Sequence, residues 1–95
     1  MNEMARDTGN QFIRVDQPGI YRLKIQGRLS QTVQERFDEM TISVEANTAN
    51  IPITTLTGQI ADQSALYGLV ARIRDLGLPL ILVELVRPVD QGDPK

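Results

Sequence analysis

The sequence has no cysteine, no histidine and no tryptophan, and its aromatic complement is two phenylalanines and two tyrosines. Without cysteine there is no disulfide, no zinc–thiolate or iron–sulfur site and no thiol nucleophile. Without histidine the most common general base and the most common nitrogen metal ligand are missing, so a Ser-His-Asp triad cannot be assembled from this chain. A dominant charge is also lacking: 10 Lys and Arg stand against 12 Asp and Glu, a formal net charge of -2. A chain this near neutrality has no global electrostatic drive toward nucleic acid or an anionic membrane, and neither is expected as a partner. No stretch approaches the roughly 20 consecutive apolar residues of a membrane helix. Met1 to Gln11 is polar, without the apolar core of a signal peptide, so the expected location is cytoplasmic.

What is present suffices for one hydrophobic core. The chain has 95 residues, 41% of them hydrophobic and 23% charged, the composition of one ordinary globular domain. The expected organisation is a flexible N-terminal tail over 1–15, one α+β domain over 16–88 and a flexible C-terminal tail over 89–95. Phe12, Ile13 and Val15 are apolar enough to dock on the domain.

Within the domain the apolar period switches between two and 3.6 residues. Ile20 to Leu29 alternates, with Tyr21, Leu23, Ile25 and Leu29 on one face and Arg22, Lys24, Gln26 and Arg28 on the other, which predicts a strand with one buried face. Gly27 interrupts that pattern, as at a bulge or a close backbone approach. Over Ser30 to Glu39 the spacing of Val33, Phe37 and Met40 turns helical, and Thr32 and Glu35 have the capping-box separation, which predicts a short helix. Thr41 to Ala46 alternates again, Asn47 to Asn50 reads as a hairpin turn, and Ile53 to Ile60 is a strand rich in β-branched residues. Asp62 to Leu76 is the longest helical pattern. Asp62 is suited to cap it, Leu66, Leu69, Val70, Ile73 and Leu76 form an apolar stripe, and Gly77 and Pro79 end it. Leu80 to Arg87 is a last strand with apolar residues on both faces. Ile81, Val83 and Leu85 are expected to face the helix, and Leu80, Leu82 and Val86 to lie opposite with Glu84.

The element order predicts a four-stranded antiparallel sheet with one long and one short helix, the ferredoxin-like β-α-β-β-α-β arrangement. The alternative is a three-strand meander followed by a helix and a strand. In the first arrangement the first and last strands are antiparallel neighbours, and Arg22, Lys24 and Arg28 lie beside Glu84. One sheet face then has no cover within the chain, and Leu80, Leu82 and Val86 would add apolar surface to it. A second, smaller candidate surface is the helix face of Tyr67, Gly68 and Ala71, since a mid-helix glycine costs about 1 kcal/mol relative to alanine and permits close packing. These six residues are the candidate interface, with a homodimer or higher homo-oligomer as the simplest partner and another protein as the other.

No other motif carries chemistry. The turn from Thr57 and Gly58 to Asp62 lacks the glycine spacing and the Lys-Ser/Thr pair of a phosphate loop, and Asp62 itself fills the helix N-terminus. Glu35, Asp38 and Glu39 read as a polar helix face rather than a metal site. An RNA-binding sheet would need exposed aromatics, and Tyr21 belongs to the buried face. No catalytic, cofactor-binding or metal-ligating residue is assigned.

The segments Thr54-Thr55-Leu56-Thr57-Gly58, Asp62-Gln63-Ser64-Ala65-Leu66-Tyr67-Gly68-Leu69 and Arg74-Asp75-Leu76-Gly77-Leu78-Pro79-Leu80 resemble a family of small bacterial proteins with no assigned activity. The resemblance implies a bacterial origin and a shared fold, and supplies no substrate or cofactor. The function expected from the whole reading is a non-catalytic, self-associating interaction or regulatory module. The alternative is a small-ligand sensor that holds a metabolite at a subunit interface, an analogy of fold alone.

Overall fold

The computed structural model describes residues 16–89. The expected N-terminal tail over 1–15, residues 90–95 of the expected C-terminal tail over 89–95, and the docking of Phe12, Ile13 and Val15 lie outside the described residues. The first strand, β1, spans Gly19–Gln26. It stops three residues before the alternating pattern does because Gly27 takes φ +114, a conformation that an L side chain rarely adopts. The corner is held by hydrogen bonds. The Gly27 amide donates to the Pro52 carbonyl at 2.8 Å, the Gln26 amide to the Pro79 carbonyl at 2.9 Å, and the buried Thr54 hydroxyl to the Gly27 carbonyl at 2.6 Å. Leu29 is still buried, but from the loop beyond the strand.

The short helix is real and shorter than its pattern. α1 spans Gln31–Gln34 and runs into a 3₁₀ turn at Glu35–Phe37. Its cap is Ser30, whose Oγ accepts from the Val33 amide at 3.2 Å, so the capping box expected at Thr32 and Glu35 is not the device used. So short a helix is held by packing rather than by propensity, and Phe37 supplies it, buried in the core.

Strand β2 is Thr41–Ala46 and β3 is Pro52–Ile60. Asn47 organises the turn between them: its Oδ1 accepts from the Ala49 and Ile51 amides, each at 2.9 Å, and Asn50 sits at φ 64. The second helix, α2, is Gln63–Asp75, with the Asp62 carboxylate accepting from the Ala65 amide at 2.8 Å. At 13 residues it is the longer of the two and still not a long helix. It ends where Gly77, at φ 78, donates to the Arg74 carbonyl. The last strand, β4, is Leu80–Pro88.

The four strands form one antiparallel sheet in the order β2-β3-β1-β4. The meander alternative is excluded, because β3 rather than β2 lies beside β1. Tyr21, Leu23 and Ile25 of β1 and Leu56 and Ile60 of β3 point to the helix side, where they meet Phe37, Leu66, Leu69 and Ile73. Both helices therefore cover the same face. The Gln63 side chain donates to the Tyr21 hydroxyl at 2.8 Å and ties the first turn of α2 to β1. Gly58 faces Met40, and a Cβ there would meet the Met40 sulfur at 2.8 Å, so the missing side chain lets the chain after α1 pass close to β3.

Candidate interaction surface

The strand order decides which strand is left uncovered. Among the described residues β4 is an edge, paired only with β1. Of the β4 residues only Leu85 packs against the core, and none is buried. Five of the eight exposed large hydrophobic residues among those described lie on this one strand: Leu80, Ile81, Leu82, Val83 and Val86. Single exposed leucines are ordinary, but a run of this kind along an unpaired edge marks a surface that meets something.

The register explains the run. Leu82, Val83, Glu84 and Leu85 pair in regular succession with Lys24, Leu23, Arg22 and Tyr21. On either side the register slips, because Leu80 pairs with Ile25 and Arg87 with Ile20, leaving Ile81 and Val86 as extra residues. Such bulges kink a strand and re-aim its side chains. Strict alternation put Leu80 on the open face with Leu82. The slip instead sets Leu80 opposite Ile25, on the helix side. Ile81 and Val83 were expected against the helix, yet they are 50% and 39% exposed. The buried stripe of α2 packs over β1 and β3, so the helix side of β4 receives almost no cover.

Charge along β4 is compensated locally. Glu84 lies 3.4 Å from the Arg22 guanidinium across the sheet, the pairing that the alternating patterns implied. Lys24 faces Thr55 on one side and Leu82 on the other, and Arg28 lies beyond the end of β1, away from Glu84. On the open face of β1, β3 and β2, Thr55 and Thr57 lie opposite Thr41 and Ser43, and the apolar residues of the same parity, Ile20 and Ile53, are half-buried and buried. The apolar surface therefore belongs to β4 and not to the whole open face.

A family model described as "Domain of unknown function (DUF8691)" matches residues 20–84, from β1 into β4. The chain belongs to the DUF8691 family. No curated protein and no solved structure matches it. The family match therefore brings no activity, and the geometry of the DUF8691 chain has to carry the functional reading.

The second candidate surface is less developed. On α2, Tyr67 is 68% exposed, Gly68 is exposed and Ala71 is half-buried, all off the stripe of Leu66, Leu69 and Ile73. A Cβ built on Gly68 meets nothing within 4 Å, so no packing within the described residues requires glycine there. This face and β4 are not brought together into one patch by any contact described here.

Between α1 and α2 lies a shallow groove of about 200 Å³ lined by Val33, Arg36, Phe37, Arg72, Asp75 and Leu76. The Arg72 guanidinium sits 4.6 Å from the centroid of the Phe37 ring, donates to the Arg36 carbonyl at 3.2 Å and lies 3.7 Å from the Glu39 carboxylate. Arg72 is thus engaged in bracing α1 against α2. Among the described residues no three His, Cys, Asp or Glu side chains gather as a metal site, and no helix is long and apolar enough to cross a membrane.

Sequence reasoning singled out Leu80, Leu82 and Val86 but missed Ile81 and Val83. The signal was present, since Leu80-Ile81-Leu82-Val83 is an unbroken apolar run next to a helix of only 13 residues. One such helix cannot cover the helix-side residues of every strand in a four-stranded sheet.

Proposed function

We propose that this DUF8691 chain is a non-catalytic interaction module that assembles with itself through β4, on a ferredoxin-like arrangement of its strands and helices. The observation that carries the reading is the β4 edge, nine residues long, unpaired on its outer side among the described residues and apolar from Leu80 to Val83. An edge of this kind exposes backbone donors and acceptors beside hydrophobic side chains, and a protein partner satisfies both at once. The resemblance over residues 54–83 supports placing the module in a bacterium, and a cytoplasmic setting belongs to the same proposal.

Light scattering on the full chain across a dilution series tests it. The expected result is a dimer or higher mass at high concentration that falls toward the monomer on dilution. A monomer mass at every concentration would remove self-association.

A small-ligand sensor is the second reading, favoured by the groove between α1 and α2. There Arg36 and Asp75 flank Val33, Phe37 and Leu76, a lining that offers a cation for a ligand carboxylate, a carboxylate for a ligand amine and an apolar wall. A thermal-shift screen with carboxylic acid metabolites that gave no reproducible rise in Tm would count against it.

A further inference from the structure

We propose that two copies of this chain join edge to edge along β4, antiparallel about a two-fold axis at Val83, so that two four-stranded sheets become one continuous sheet. The proposal rests on the self-association proposed above and specifies its geometry.

The two edges of the sheet differ. β2 is six residues long and alternates Thr41, Ser43 and Glu45 with its apolar positions, the polar pattern that discourages strand addition. β4 is nine residues long and has no lysine and no proline before Pro88. Its one charge between Leu80 and Val86 is Glu84, and Arg22 at 3.4 Å compensates it. Two copies of this strand can therefore approach without net repulsion, and an antiparallel two-fold pairing satisfies the same row of backbone groups on both.

The register follows from faces and charge. Between the two bulges, Leu82 and Glu84 point to the open face and Val83 and Leu85 to the helix face, as their partners on β1 do. Directly opposed residues of an antiparallel pair share a face, so within this stretch the axis falls on a residue and not between two. An axis at Glu84 sets two carboxylates directly opposite, which is destabilising. An axis at Leu82 reaches only from Leu80 to Glu84 before the strand begins, and leaves Val86 out. An axis at Leu85 leaves Leu80 and Ile81 beyond the paired strand. An axis at Val83 pairs Leu80 with Val86 of the second copy, Ile81 with Leu85 and Leu82 with Glu84. It thereby spans all five exposed hydrophobic residues of β4.

The absence of native cysteine makes the test clean. Single variants of the full chain, Ile81→Cys, Val83→Cys and Val86→Cys, are oxidised in air and read on a non-reducing gel, with Tyr67→Cys as a reference on α2. Residues on the axis have Cα atoms about 4.5–5.5 Å apart, within disulfide reach. Two residues from the axis, the two copies of a residue are offset by about 13–14 Å along the strands, beyond it. The expected result is a shift to the dimer band for Val83→Cys and the monomer band for the other three. Equal linkage at all positions, or a maximum at any other position, overturns the register. A dimer by light scattering with none of the three β4 variants linked overturns the β4 edge and leaves self-association standing, whereas a monomer mass overturns both. Hydrogen exchange on the unmodified chain gives an independent reading. Amides between Leu80 and Val86 should gain protection as concentration rises, and protection there that ignores concentration overturns the proposal.

Discussion

Leu82 allows the sheet register and the interface to be tested with one pair of substitutions. Its side chain is 37% exposed, lies on the open face and pairs with Lys24. Leu82→Glu and Leu82→Lys remove similar apolar contact, since both new side chains keep methylene groups along the strand. Their difference therefore isolates charge. Glutamate opposite Lys24 forms a favourable cross-strand pair and lysine an unfavourable one, each by about 0.2–1 kcal/mol. The two variants should differ by about 1 kcal/mol in favour of glutamate, which in a domain of this size is about 4–8 °C in Tm. The assay is thermal unfolding by circular dichroism at concentrations where the chain is monomeric. Repeated in ~1 M salt, where the Debye length is about 3 Å, the difference should shrink. In the proposed dimer position 82 lies opposite Glu84 of the second copy, so Leu82→Glu sets like charges together and should move the native mass to the monomer, whereas Leu82→Lys meets an opposite charge and should weaken assembly less. Equal melting temperatures, or a more stable lysine variant, would mean that position 82 does not face Lys24 and would refute the register. An oligomer retained by the glutamate variant would refute assembly through β4 in this register.

Two further outcomes test local claims. Gly68→Ala should stabilise the fold by about 0.8–1 kcal/mol, since the position is inside α2 and the added methyl meets nothing; a fall in stability or in native mass on denaturation and light scattering would place that face in a contact. Thr54→Val keeps the side-chain shape but removes the hydroxyl that donates to the Gly27 carbonyl, and should cost about 1–2 kcal/mol by urea unfolding; an unchanged midpoint would show that this bond does not hold the corner where β1 ends.

Much of the fold is legible locally because its signals are local. The alternation of Tyr21, Leu23 and Ile25 against Arg22 and Lys24 specifies a strand with one buried face, whatever its neighbours are. Asp62 caps α2 with its own carboxylate, and Gly77 ends it by taking a positive φ, so both limits of that helix are set within a few residues. Asn47 folds the hairpin turn through its own side chain. The same locality explains the misplaced cap of α1. Ser30 and Thr32 are both competent caps, and the burial of Phe37 in a distant core selects where so short a helix starts.

The candidate surface was legible only in outline. The apolar run from Leu80 to Val83 signals a strand with two dry faces, which in isolation reads as a buried strand. Its exposure follows from its place at the edge of the sheet and from a helix that packs over the inner strands, and both depend on contacts between residues far apart in the chain. The bulges at Ile81 and Val86 are likewise set by the fit of β4 to β1, and they move Leu80 to the other face from the one that its parity assigns. What the sequence by itself determined is therefore the kind and extent of each element, together with the exclusion of cysteine and histidine chemistry, because propensity, capping and composition act within a few residues. What only the tertiary structure decided is which apolar residues remain uncovered, because burial depends on strand order, register and the reach of one 13-residue helix across the sheet.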